Sequence, residues 1–181
     1  MKRLNRSALL VFASASLLGC STSEGAREPG SGARAFLGEF AVSLLKSAER
    51  AESFRVQREL GAQPKNEESI AGLRLLARGP ELDSAQRELL KRLLFDDGSY
   101  ELEMAKGCEP MPGVLLRVWR GESYLDLALC FECKMWGIGV VSERQVFPEH
   151  WDWEDFDPVN APLVALVKEL FPADAVIQGL R

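Results

Sequence analysis

The sequence predicts an α+β domain: an antiparallel β-meander of about four strands packed with N-terminal, central and C-terminal helices. Three observations lead to this prediction. Apolar and polar side chains alternate along residues 114–119 and 124–130, as they do in strands with one buried face. The connections between the expected strands are too short for a parallel crossover, which needs roughly a dozen residues or more. The helical patterns lie outside this run of strands rather than within it.

Two helices are expected near the ends of the domain. The first covers residues 33–51, where four apolar side chains share one helical stripe: Phe36, Phe40, Leu44 and Ala48. The closing helix follows Asn160, the predicted cap, with Pro162 in its first turn. Its apolar side chains recur at helical spacing and are expected to pack on one face of the sheet.

The central helix has the clearest local signals. Asp83 occupies an N-cap position and Gln86 follows three residues later, the spacing of a capping box. A leucine-rich face follows, and residues 96–98, Asp-Asp-Gly, end the helix. Before it, residues 70–77 fit either a short helix or a strand, and Gly79-Pro80 is expected to break that segment.

Further strands are expected over residues 53–60, 99–105 and 135–141. Residues 120–123, Arg-Gly-Glu-Ser, form a turn that joins two of the strands into a hairpin. Residues 150–157 are acidic and aromatic and are expected to form a loop anchored by its aromatic side chains, as residues 61–68 are expected to form a loop.

The amino terminus has the pattern of a secretory signal. Three basic side chains lie within residues 1–6, and the apolar run over residues 7–18 is too short to span a membrane comfortably. The run ends in Leu17-Leu18-Gly19-Cys20. This resembles the lipobox of bacterial lipoproteins, although Leu18 is bulkier than the usual residue. An ordinary signal peptide with an incidental cysteine, or an uncleaved anchor, is the alternative.

The resemblance implies that residues 1–19 are removed and that the Cys20 thiol carries a diacylglycerol, with a third acyl chain on the new amino group. Ser21, rather than Asp, implies an outer-membrane lipoprotein of the bacterial cell envelope, facing the periplasm or the cell surface. Residues 20–32 are small, polar and rich in glycine, which predicts a flexible tether. Residues 33–181 then form a single domain.

The charge of the chain argues against several partners. The 181 residues carry a formal net charge of −5, and removing the signal, which holds only basic charges, leaves 19 basic and 27 acidic side chains. An acidic chain without a Lys/Arg cluster does not suit nucleic acid or a polybasic membrane contact. The membrane partner is therefore expected to be reached through the lipid anchor alone.

Three cysteines remain besides Cys20, and an odd number in an oxidising compartment is informative. One interpretation is a single disulfide from Cys108 to either Cys130 or Cys133, with the third thiol buried. On a flat strand the side chains of Cys130 and Cys133 point to opposite faces, so they cannot pair with each other without a bend.

Two other interpretations stay open. Cys130 and Cys133 form a Cys-x-x-Cys motif, which suits thiol–disulfide chemistry, but such pairs usually begin a helix and this one follows a strand. The other interpretation is a zinc site formed by Cys108, Cys130, Cys133 and His150, the only histidine of the chain. The sequence lacks the second close-spaced pair of ligands that such sites usually have.

Other catalytic constellations are poorly supported. A Ser/His/Asp triad would have to use the single histidine, and no Gly-rich phosphate loop is present. The remaining acidic side chains that could act in acid–base chemistry are interpreted as solvated charges: Asp126, Glu132, Asp152, Glu154, Asp155 and Asp157.

A wider resemblance covers roughly residues 69–135. The motifs Cys108-x-Pro-x-Pro-Gly113 with Arg117, and Leu127-x-Leu-Cys-Phe-Glu-Cys133, are similar to those of a group of uncharacterised bacterial secreted proteins and lipoproteins. No established activity carries over from that group. The resemblance implies that Cys108, Cys130 and Cys133 act as one set.

Together these patterns predict a lipid-anchored envelope protein that is a binding or structural module rather than an enzyme. The alternative is a thiol-redox or zinc-dependent envelope enzyme that uses Cys108, Cys130 and Cys133.

Overall fold

The computed structural model describes residues 27–58, 68–103, 106–141 and 151–181. Within these residues seven strands form one sheet whose neighbouring strands are all antiparallel. They are β1 (Arg50–Gln57), β2 (Ser69–Ile70), β3 (Leu73–Glu81), β4 (Val114–Arg120), β5 (Ser123–Cys130), β6 (Met135–Val141) and β7 (Asp152–Asp155), in the spatial order β2-β3-β1-β4-β5-β6-β7. The helices are α1 (Ser31–Lys46), α2 (Ser84–Phe95), α3 (Asn160–Leu170) and α4 (Ala175–Gln178), with 3-10 turns at Asp97–Ser99 and Asp157–Val159.

The α+β class is confirmed, but the expected number of strands, about four, is wrong. Part of the difference comes from the ambiguous segment, which forms the hairpin β2–β3 around Ala71 and Gly72, both with positive φ. The expected break at Gly79-Pro80 does not occur, because β3 continues through a bulge at these residues opposite Ser53. Gly79 is needed there, since a Cβ would lie 2.8 Å from the Phe171 ring.

Strand β7 accounts for another difference, because its residues were expected in a loop. It pairs with β6, and the Trp153 indole covers the backbone of Gly137, where a Cβ would approach the ring to 2.9 Å. The missing side chain on β6 therefore makes room for the tryptophan on β7. The aromatic anchoring was expected, but the strand itself was not, since Asp-Trp-Glu-Asp has few residues that favour strands.

The strand expected over residues 99–105 is also wrong for the residues that the structure describes. The chain makes the 3-10 turn Asp97–Ser99 and then runs irregularly to Glu103. Tyr100 directs its ring into the core, 5.0 Å from the Trp136 ring, and its hydroxyl donates to the Leu94 carbonyl at 2.6 Å. Packing against the core thus replaces pairing with the sheet.

Helix α1 differs from its prediction because of Gly38. This residue has φ 73° and ψ 159°, which interrupts the helix and changes its phase. As a result Phe40, expected on the buried stripe, is 37% exposed, while Ala41 and Val42 are buried. The helix also starts at Ser31, before the expected domain boundary, and ends at Lys46.

The capping box of α2 is confirmed. The Asp83 carboxylate accepts the Gln86 N–H at 2.8 Å, and the Gln86 side chain accepts the Asp83 N–H at 3.1 Å. The predicted cap of α3 is wrong, since Asn160 already has helical backbone angles and its side chain donates to the carbonyl of Arg181. The chain enters α3 through the turn Asp157–Val159 instead.

The two faces of the sheet have different coverings. Val114, Leu116 and Val118 point to the face that α1, α2 and α3 cover, and there they join the main core. Leu115 points to the opposite face, where it packs with Phe54 and other apolar side chains in a smaller cluster. The alternation predicted for β4 is therefore confirmed. In the part of the chain that the structure describes, the cluster on the second face consists of strand side chains with Ala71 and Trp151 beside them.

The first described residues pack on the domain. Arg27 forms an ion pair of 2.7 Å with Asp96, and the Gly30 amide donates to the Phe95 carbonyl at 2.9 Å. The last part of the predicted tether therefore lies against the end of α2, while its earlier part, Cys20 and the signal lie outside the described residues. Among the helices of the described residues, none has the length and apolar character to cross a membrane.

Candidate functional site

The three cysteines of the domain meet at one end of the sheet. Strand β5 ends at Cys130, which lies opposite Met135 on β6, and residues 131–134 form the turn between the two strands. Lys134 closes this turn with φ 52°, a left-handed conformation that few residues other than glycine adopt. The turn supplies the bend that a flat strand lacks, so Cys130 and Cys133 lie on the same side.

Cys108 and Cys133 are joined by a disulfide, with their Cα atoms 6.0 Å apart. This is one of the two pairings that the sequence left open. The bond closes a loop between residues separated by 25 positions, which contributes about 3 kcal/mol in the chain-entropy description. Cys108 is exposed and Cys133 is buried, so solvent reaches the bond from the side of Cys108.

Cys130 is a free thiol and is fully buried. Two backbone amides donate toward its sulfur, that of Met111 at 3.3 Å and that of Cys133 at 3.5 Å. The thiol is thus held inside the turn that carries the disulfide.

The structure separates the residues of the zinc hypothesis. Two of the four candidate ligands, Cys108 and Cys133, are bonded to each other, and His150 lies outside the described residues. Zinc would require the disulfide to be reduced first. The zinc interpretation therefore stays a hypothesis for the reduced protein.

A lysine and three carboxylates border the disulfide. Carboxylate oxygens of Glu101, Asp155 and Asp157 lie within 4.8 Å of one another. The Lys106 ammonium contacts Asp157, donates to the Cys133 carbonyl at 2.9 Å and lies 3.4 Å from Asp155 Oδ1. Asp155 is buried, and neither of its oxygens has a hydrogen-bond partner, so the ion pair with Lys106 is its compensating contact in the described residues.

The electrostatics follow from these contacts. The hydrogen bond from Lys106 holds the pKa of Asp157 below its ordinary value, and a further contact with Lys134, 3.1 Å away, acts in the same direction. Burial opposes the charged form of Lys106, but the two aspartates outweigh it and raise the pKa of this ammonium. Lys106 is therefore the cation that pairs with both Asp155 and Asp157.

A second buried carboxylate lies in the middle of the sheet. Asp126 is completely buried and receives two hydrogen bonds from Arg117, at 2.7 and 2.8 Å. Burial raises the pKa of Asp126, although Arg117 opposes that change. The Arg117 guanidinium lies 3.9 Å from the centre of the Tyr124 ring. The interpretation of Asp126 and Asp155 as solvated charges was thus wrong, because both side chains are buried.

An apolar groove lies beside β3 and the carboxyl-terminal residues. It has a volume of about 410 Å³ and is lined by side chains of β1, β3, the chain before β4, the β5–β6 turn and α4. Leu76 and Val176, which line it, are 43% and 66% exposed. In the sequence these residues looked like parts of an ambiguous segment and of a short tail, so nothing pointed to a common surface.

No protein-family model, curated protein or solved structure matches this chain. The resemblances to bacterial lipoproteins and to uncharacterised secreted proteins therefore stay predictions from the sequence.

Proposed function

We propose that this protein is a lipid-anchored protein of the bacterial envelope, held at the outer membrane, whose domain is a binding module. The observation that carries the proposal is the lipobox-like sequence Leu17-Leu18-Gly19-Cys20 at the end of a basic and then apolar leader. The domain that follows has a sheet, a covered core and a disulfide, as a secreted domain needs in an oxidising compartment.

The anchor would hold the domain close to the membrane. Arg27 contacts Asp96 and lies seven positions after Cys20 in the chain. An extended chain of that length spans at most about 25 Å. The face formed by the start of α1 and the end of α2 therefore lies toward the lipid in this arrangement.

The groove beside β3 is the binding surface that we favour, and an extended peptide segment with apolar side chains is its occupant. Within the described residues, β3 pairs with β2 only at Leu73 and Arg74, so the outer edge from Leu76 onward has no strand partner. An added strand would gain main-chain hydrogen bonds at this edge while its apolar side chains enter the groove next to Leu76 and Val176.

The anchor is tested by Cys20→Ser. We expect this variant to appear in the soluble envelope fraction, and mass spectrometry of the unaltered protein to find an acylated amino-terminal cysteine. Ser21→Ala, next to it, is the matched control and is expected to stay with the membranes. An unacylated Cys20, or a Cys20→Ser protein that still sediments with membranes, would refute the anchor.

The groove is tested with peptides selected from a random displayed library on the purified mature chain carrying Cys20→Ser. We expect Leu76→Asp to weaken the selected peptides at least about tenfold, which corresponds to roughly 1.4 kcal/mol. Leu102→Asp is the control, because Leu102 is also 43% exposed but does not line the groove. Equal loss in both variants, or no loss in either, would contradict the assignment of the groove.

A further inference from the structure

We propose that the three cysteines form an internal thiol–disulfide exchange site. In this exchange Cys130 forms a disulfide with Cys133, and Cys108 is released as an exposed thiol. The external substrate is a disulfide of a peptide or small thiol compound, which the released Cys108 attacks. This inference rests on the arrangement of the sulfurs and is independent of the lipid anchor and of the groove.

The first step is an isomerisation without net oxidation. The Cys130 thiol releases its proton to buffer when the turn opens, and its thiolate attacks the Cys133 sulfur. The bond from Cys133 to Cys108 breaks, and Cys108 leaves as a thiolate. In the second step the Cys108 thiolate attacks an external disulfide, forms a mixed disulfide and releases one external thiolate. Each step forms one S–S bond and breaks one, so no further oxidant or reductant is needed.

The turn between β5 and β6 makes the first step geometrically possible. The Cys133 amide donates to the Cys130 sulfur at 3.5 Å, which brings this sulfur next to the residue that it must attack. Cys130 and Cys133 are three positions apart, the spacing of the first and last residues of a tight turn, whose Cα atoms lie closer than about 7 Å and so within the range that a disulfide spans. The amide of Met111 donates to the same sulfur at 3.3 Å and holds it inside the turn.

The surroundings of Cys108 suit the second step. Cys108 is exposed on the edge of an open concavity of about 460 Å³, which Lys106, Lys134 and Glu132 also line. A peptide disulfide can reach the Cys108 sulfur from this side, whereas Cys130 and Cys133 are buried. The structure thus separates an internal thiol from an exposed thiol, with Cys133 shared between them.

The sequence permits a direct test with trypsin. Cleavage after Lys106, Arg117, Arg120 and Lys134 places Cys108 in one peptide, residues 107–117, and Cys130 and Cys133 together in another, residues 121–134. The disulfide in the structure links the two peptides, while the isomer has an internal bond within residues 121–134. Mass spectrometry after acid quenching and thiol blocking therefore distinguishes the two directly.

The mature chain carrying Cys20→Ser is incubated with oxidised glutathione near pH 8. We expect glutathione on peptide 107–117 together with the internal bond in peptide 121–134. In folded Cys130→Ser we expect at least a tenfold loss of glutathione on Cys108, because no free thiol remains to release Cys108 from its disulfide. Glutathione on Cys130, no label on the unaltered chain, or equal labelling of the variant would overturn the proposal.

A second variant keeps the test decisive if Cys130→Ser does not fold. Cys108→Ser removes the exposed partner, and we expect Cys130 and Cys133 to form their bond with each other when this variant is oxidised. Two free thiols in folded, oxidised Cys108→Ser would overturn the proposed exchange. The result is read from sulfur connectivity alone, so it does not depend on whether the protein is anchored or binds peptides.

Discussion

The positive charge of Lys106 contributes to the stability of the fold at the end of the sheet where the disulfide lies. It lies 3.4 Å from Asp155 Oδ1, and Asp155 is buried without a hydrogen bond. We expect Lys106→Met to lower the free energy of unfolding by about 2 kcal/mol, because it leaves a buried carboxylate without its cation. Urea denaturation at neutral pH measures this change.

Lys134→Met is the matched control for that prediction. Lys134 is more exposed and contacts Asp157 at 3.1 Å, so its loss should cost less than about 1 kcal/mol. Adding Asp155→Asn to Lys106→Met should restore much of the lost stability, since the unpaired charge is then gone. Similar losses from both lysine variants would mean that Asp155 does not depend on Lys106.

The ion-pair partner of a buried side chain can be predicted from the sequence where that partner lies close along the chain. The turn at residues 120–123 already implies that Arg117 faces Asp126 across the hairpin, and the structure has this register. That signal was present but unused when Asp126 was interpreted as solvated. Asp155 differs, because its cation comes from Lys106, about fifty residues earlier, and no local pattern reports such a contact.

At the scale of elements, the capping box of α2 gives a local test. Asp83→Ala removes the acceptor for the Gln86 amide and should lower the free energy of unfolding by about 1 kcal/mol. Ser84→Ala, the next residue, is the control and should have almost no effect, because alanine is a better helix former. Denaturation followed by circular dichroism compares the two, and an equal loss in both would contradict the capping role.

The elements that the sequence predicted well are those fixed by local chemistry. The capping box, the turn at residues 120–123 and strand β6 are determined by residues within or beside them. For β3 the sequence left residues 70–77 open between helix and strand, and the break expected at Gly79-Pro80 was wrong because Gly79 allows the approach of Phe171, a residue of the distant C-terminal region. From local propensity, Gly79 followed by proline predicts the end of a strand. In the folded protein the same glycine lies in a bulge within the strand, because it packs against Phe171.

For the whole molecule, the site of the cysteines depends on how three distant segments meet. The chain before β4 brings Cys108, the β5–β6 turn brings Cys130 and Cys133, and β7 brings Asp155. The sequence indicated that the cysteines form one set but left the pairing open. A strand was expected over residues 99–105, whereas residues 100–103 are irregular and residues 106–113 reach β4 without forming a strand.

Asp174 and Asp126 are expected to change the stability of the protein in opposite directions as the pH falls. The pKa of Asp174 lies below its ordinary value of 3.8, because the Ile177 amide and then Arg55 stabilise the carboxylate. Its contribution is present above the unfolded pKa and is lost as the pH falls through the folded pKa. The pKa of Asp126 is raised above 3.8 by burial, so the native state takes up that proton more readily, and its contribution to stability grows on acidification.

We therefore expect two opposite trends when urea unfolding is measured from pH 7 down to about pH 3. The difference in stability between the unaltered protein and Asp174→Asn should narrow as the pH falls, since protonation removes what the variant already lacks. The difference from Asp126→Asn should widen over the same range, because only the unaltered protein gains from binding the proton. If both differences in stability narrowed as the pH falls, the ion pair with Arg117 would outweigh the effect of burial at Asp126. The charged Asp126–Arg117 pair would then stabilise the folded protein.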